Sequence, residues 1–119
     1  MKIAVTATGA DLDSAVDPRF GRAPYILIVD SETMAVEALD NQENMNALKG
    51  AGIQAATLIS NHGAGVLLTG HCGPNAFKAL RAADIGVANN AAGTVRQAVR
   101  DYEDGKLPLA DESDVEANW

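Results

Sequence analysis

Five short apolar runs, each four or five residues long, constrain this chain more than any other feature. Ile3–Thr6, Tyr25–Val29, Ala35–Leu39, Val66–Thr69 and Ile85–Ala88 are too short for buried helices and have the length of buried strands. Asp30-Ser31-Glu32-Thr33 separates the second run from the third and reads as a hairpin turn. Helix-periodic segments separate the later runs. Leu48, Ala51, Ala55 and Ile59 recur at helical spacing between Ala47 and about Asn61, although Gly50 and Gly52 blur where that helix starts. Pro74 suits a first helical position, where no amide hydrogen is needed, and opens a second helix carrying Phe77, Leu80 and Ala83 inward. Thr94-Val95-Arg96-Gln97 has the capping-box pattern of a third helix, with Val95, Ala98, Val99 and Tyr102 on one face and Gly105 at its end.

This order, β-β-β-α-β-α-β-α, predicts an α/β fold: a five-stranded mixed sheet that begins as a meander, continues by crossovers and is covered on both faces. With the first strand pointing up, the loops Ala7–Arg22, Asp40–Asn46, Gly70–Pro74 and Asn89–Gly93 gather at one edge. Ligands of α/β sheets settle at that edge, outside the carboxyl ends of the parallel strands. The first of these loops is longer than a compact domain normally keeps without a use for it. At 119 residues, 47% of them hydrophobic, the chain has material for a single core without disulfides. Residues 1–107 are expected to form that domain and residues 108–119 an acidic tail.

The net charge of −7 is uneven, with Asp101, Glu103, Asp104, Asp111, Glu112, Asp114 and Glu116 crowded toward the end. Such a chain lacks the basic footprint of a nucleic-acid binder, yet it leaves room for a locally positive site. The first residues contain no signal-peptide h-region, and no apolar run approaches the roughly 20 residues that span a bilayer. A single cysteine forms no internal disulfide. The expectation is a cytoplasmic protein with neither membrane nor nucleic acid as partner.

Three segments, DPRFGRA (Asp17–Ala23), TGHCGPNAFKAL (Thr69–Leu80) and AGTVRQAV (Ala92–Val99), resemble the dinitrogenase iron-molybdenum cofactor biosynthesis family, which includes NifX and the C-terminal part of NifB. The resemblance runs from Met1 to Leu107, and the glycine-rich turn around Cys72 is its most specific piece. It implies a three-layer, ribonuclease-H-like α/β/α fold. It also implies a non-catalytic carrier of an anionic metal–sulfur cluster, exchanged with a donor or recipient protein. Two cargoes fit: an iron–molybdenum cofactor precursor, or the molybdenum–copper sulfide cluster of the orange-protein branch. Ribonuclease-H-like nucleases need carboxylates converging on the central sheet, and Ile3–Thr6 has none.

The residues themselves mark the same edge. Cys72 sits in a turn feeding a helix N-terminus, where free N–H groups and the helix dipole favour thiolate and bound anions. With only one cysteine, a four-cysteine iron–sulfur centre is impossible in one chain. Cys72 and the adjacent His71 are therefore the candidate metal ligands, set against a small buried cysteine and an exposed loop histidine. Arg19 and Arg22 bring permanent charge and several N–H donors to the long loop, although Asp17 and Arg19 are also placed for local pairing. Phe20 between them reads as a plug into the core. Gly70 and Gly73 permit close backbone approach, Asn75 offers a side-chain amide, and Met45 a thioether. Asn89, Asn90, Gly93 and Thr94 form the next helix entrance, where capping is the main task. His62 stands at the far end of the fourth strand and reads as a helix C-terminal histidine.

Two other functions compete. Cys72 as nucleophile with His71 as base requires an imidazole in hydrogen-bonding reach and a third orienting group, which neighbours in sequence seldom provide. A phosphate- or nucleotide-binding regulatory module would use the same helix N-termini, but the chain has neither GxxxxGK[ST] nor GxGxxG.

Overall fold

The computed structural model describes residues 1–42 and 50–111. Among them, β1 (Lys2–Ala7), β2 (Tyr25–Asp30) and β3 (Val36–Asp40) are followed by α1 (Ala51–Asn61), β4 (Val66–Leu68), α2 (Pro74–Ala82), β5 (Gly86–Ala88) and α3 (Val95–Glu103). The strands form one sheet in the order β3-β2-β1-β4-β5. β2 runs antiparallel to both neighbours, as tight turns and loops between consecutive strands allow, whereas β1, β4 and β5 are parallel and linked through helices.

Side chains alternate across the strands and divide the core in two. Ala4, Ile26, Ile28, Leu67 and Val87 face α1 and α2, while Ile3, Val5, Leu27, Val29, Val66 and Leu68 face α3. Burial on both faces explains why β1, β2 and β4 read as unbroken apolar runs. β3 is the exception: it lies at the edge, and of its residues only Leu39 is buried. The helices answer with small or branched residues, Ala55, Ala56 and Ile59 on α1, Phe77 and Leu80 on α2, and Val95, Ala98 and Val99 on α3.

Three details differ from the expected pattern. α1 begins at Ala51 behind Gly50, whose φ of 81° is left-handed; the expected start at Ala47 lies outside the described residues. The capping box is half made: Thr94 Oγ1 accepts from the Gln97 N–H, but the Gln97 side chain donates to Asp101 Oδ1 at 2.8 Å rather than turning back. Packing also continues past residue 107. The Ala110 N–H donates to Val87 O at 2.7 Å and Leu109 lies over Gly86, because Pro108-Leu109-Ala110 is an apolar piece that covers the open edge of β5. Residues 112–119 of the expected tail lie outside the described residues. Among the described residues, no helix is long and apolar enough to cross a membrane.

Candidate functional site

The carboxyl ends of β1, β3, β4 and β5 share one edge, and the long loop after β1 is laid across it in two halves. The first half, residues 8–16, belongs to α3. Val95 and Arg96 N–H groups donate to Ser14 O and Leu12 O, each at 2.9 Å, and Gln97 N–H to Thr94 Oγ1 at 3.1 Å. Arg96 Nε adds an exposed ion pair to Asp13 Oδ1 at 3.1 Å, of small energetic value. The first-turn donors of α3 are thus taken by the protein, so this helix entrance serves capping and holds no vacant donors for an anion.

The second half, residues 17–23, is stapled to the turn between β4 and α2. His71 N–H donates to Pro18 O at 2.7 Å and Phe20 N–H to His71 O at 3.2 Å. This approach requires glycine at position 70, where a Cβ would stand 2.6 Å from Pro18 Cα and 2.7 Å from its oxygen. Asp17 Oδ1 accepts the Arg19 N–H at 3.0 Å, so Asp17 shapes the loop through backbone bonding. Phe20 is the expected plug, only 6% exposed within the α1–α2 side of the core. Arg19 is exposed and Arg22 half-buried. Behind them, buried Asn41 donates its side-chain amide to Ala23 O at 2.9 Å.

Two helix entrances converge beside this loop. Gly73, the N-cap of α2, gives no side-chain cap, and Pro74 follows it. The N–H groups of Asn75 and Ala76 meet no acceptor among the described residues. α1 likewise enters without a side-chain cap at Gly50. The two first turns touch: a Cβ on Gly52 would come within 2.6 Å of Ala76 Cβ, and one on Gly21 within 2.9 Å of Gly52 N. The positive ends of two helix dipoles therefore adjoin the arginine loop. Positions 44–83, which supply both helices, carry no carboxylate in a chain that has 16 elsewhere.

Cys72 and His71 part company in this arrangement. The Cys72 side chain is 0% exposed, packed in the core cluster that includes Phe20, Phe77 and Leu80, with Sγ 3.7 Å from Gly73 O. The thiol therefore lies beneath the edge rather than on its surface, beside the carbonyl of Gly73. His71 lies in an extended bridge with Arg19, and consecutive side chains of an extended segment point opposite ways, so the half-buried imidazole does not join the thiol. Among the described residues, no three His, Cys, Asp or Glu side chains gather as a metal site.

Comparison with known proteins now decides the family. The family model described as dinitrogenase iron-molybdenum cofactor matches residues 1–105. The chain belongs to that family. Solved structures share the fold. The chain is 50% identical to the orange protein of Desulfovibrio gigas, solved in its apo form, over 96% of each chain with a TM-score of 0.93. It is 32% identical to a putative NifB protein from Thermotoga, over 91% of each chain with a TM-score of 0.79. An uncharacterized protein of Methanocaldococcus jannaschii is 27% identical over 97 residues, 80% of this chain and 82% of the relative.

Within this member of the cofactor family, the structure brings together Arg19, Arg22, Gly70, His71, Gly73 and the exposed Asn75, and sets Cys72 beneath them. Met45 lies outside the described residues. His62 is the C-cap of α1, and its Nδ1 stands 3.3 Å from Glu37 Oε1, away from this edge. Asn89 follows β5 with its side-chain oxygen buried and unpartnered. Sequence reasoning missed the α1 entrance at Gly50–Gly52 and the buried anchor Asn41. The carboxylate-free stretch 44–83 was the available signal for the former; nothing in a run of polar loop residues distinguished the latter.

Proposed function

We propose that this chain is a non-catalytic carrier of an anionic metal–sulfur cluster, which it holds as cargo at the edge formed by Arg19–Arg22, His71, Gly73–Ala76 and the entrance of α1. The observation that carries this reading is the adjoining pair of helix entrances without side-chain caps, drawn from a stretch free of carboxylates and set beside the loop of Arg19 and Arg22. A sulfide-rich anion needs many weak N–H donors and fixed positive charge rather than a cage of thiolates, and that is the donor set present. Among the described residues of this edge, His71 offers an imidazole able to bind copper or iron directly. Membership of the cofactor family and likeness to the orange protein support a molybdenum–copper sulfide cluster or an iron–molybdenum cofactor precursor as the cargo. The sheet order β3-β2-β1-β4-β5 with helices on both faces supports the ribonuclease-H-like description. A cytoplasmic setting and exchange with a donor or recipient protein complete the proposal.

The test is anaerobic reconstitution of apo-protein with tetrathiomolybdate, with and without copper, and separately with an iron–molybdenum cofactor precursor, followed by desalting, visible spectroscopy and metal analysis. The expected result is a chromophore retained with at least one cargo and weakened in Arg19→Ala and Arg22→Ala. Undiminished retention in both variants would remove the assigned site, and calorimetric binding of a nucleotide instead would favour the regulatory-module reading.

A further inference from the structure

Two hydroxyl groups lie buried where the apolar sheet meets the candidate site. Thr6 ends the inward pattern of β1 and Thr69 follows β4; both are 0% exposed. Alternation from Ala4 and Leu67 puts them on the α1–α2 side of the sheet, beneath the arginine loop. Their Oγ1 atoms are 2.9 Å apart, and Thr6 Oγ1 donates to Asp17 O at 2.6 Å. A hydroxyl has one hydrogen to give, so the bond between the threonines runs from Thr69 to Thr6. The result is a directed chain, Thr69 O–H to Thr6 Oγ1, then Thr6 O–H to Asp17 O. The Asp17 N–H closes it by donating to Thr6 O at 2.9 Å, and Asp17 Oδ1 accepts the Arg19 N–H.

Thr69 is tied to the other edge loops as well. Its N–H donates to Ala88 O at 3.1 Å, and its carbonyl accepts from Ala91 N–H at 3.0 Å. The pair thus joins β1, β4, the turn after β5 and the start of the arginine loop at one point. Aliphatic residues fill the sheet on every side, and a pair of valines would occupy the same space. Removing both members of a buried hydrogen-bonded pair in favour of apolar groups of the same shape is close to neutral for stability. With both hydroxyls replaced, the one group left short of a partner is the part-buried Asp17 O, so the cost falls on the loop rather than on the sheet.

We infer that Thr6 and Thr69 are positioning residues that set the register of the Asp17–Arg22 loop over the α2 entrance, and so set affinity for the anionic cargo. The cargo part of this inference rests on the function proposed above; the positioning part does not. The contrast is sharp among variants. Thr6→Val/Thr69→Val keeps the packing and loses the donor to Asp17 O. Thr6→Val alone leaves the Thr69 hydroxyl buried without its acceptor, whereas Thr69→Val alone leaves the bond to Asp17 in place. Thr6→Ser/Thr69→Ser keeps the whole chain.

The experiment measures thermal unfolding, amide hydrogen exchange at Arg19 and Phe20, and retention of the tetrathiomolybdate–copper chromophore in these variants as full chains. For the double valine variant the expected result is a melting temperature no more than a few degrees below wild type, exchange at Phe20 faster by about tenfold, the scale of one neutral hydrogen bond, and chromophore affinity lower by a similar factor. The double serine variant restores both. Phe20 exchange unchanged in the double valine variant would overturn the positioning role, whatever the cargo. Faster exchange in a protein whose wild type retains no chromophore would instead uphold positioning and fault the carrier reading.

Discussion

Gly70→Ala is the most direct probe of how the edge is built. The added Cβ would lie 2.6 Å from Pro18 Cα and 2.7 Å from both Pro18 Cβ and Pro18 O, whereas ordinary contact begins at 3.4 Å. Pro18 must retreat by about 0.8 Å, and it is held by backbone on both sides rather than by a flexible side chain. The retreat stretches the 2.7 Å bond from His71 N–H to Pro18 O. Overpacking of this kind costs about 1–3 kcal/mol, and a compromised hydrogen bond about 1 kcal/mol more. For a domain of this size the sum corresponds to a fall of roughly 8–15 °C in melting temperature. Circular dichroism melts of Gly70→Ala should be run beside Gly65→Ala, where a Cβ meets nothing within 4 Å and the backbone is not left-handed. The control should match wild type or exceed it slightly, by restricting the unfolded chain. Equal melting temperatures for the two variants would refute the claim that the loop and turn are pressed together without room for a methyl group.

Three further outcomes follow from other contacts. Cys72→Ala should cost about 1 kcal/mol as a small cavity and leave chromophore retention intact, since the thiol is sealed in the core; loss of the chromophore at an unchanged melting temperature would make Cys72 a ligand after all. Asn41→Ala should lower stability by about 1–3 kcal/mol in urea titrations, because Ala23 O loses its buried donor; an effect confined to a few tenths would place that anchor outside the core of the loop. Backbone N–H groups of Glu32 and Thr33 donate to Asp30 and hold its carboxyl below the usual 3.8. Its contribution to stability is therefore complete above 3.8 and is lost as pH falls through the lower folded value, so the melting gap between wild type and Asp30→Ala should be present at neutral pH and close in acid.

What the sequence determined by itself was the pattern with a local cause. Ile3–Thr6, Tyr25–Val29 and Val66–Thr69 are apolar in unbroken runs because both of their faces are covered, and that burial is written residue by residue. The capping threonine, the proline of α2 and the chemistry of the edge loops are likewise local. Phe20 as a plug and His62 as a helix-end residue were also legible, although the acidic partner of His62, Glu37, comes from a strand far away in sequence. The direction of Cys72, the donors of the α2 entrance that meet no acceptor among the described residues and the occupied donors of α3 were decided only by tertiary structure. Whether a helix N–H is free depends on which loop lies across it, and residues 8–16 chose α3. A thiol's exposure depends on which side of an extended turn faces the core. Such facts arise from contacts between segments distant in sequence, whose closure no local pattern encodes.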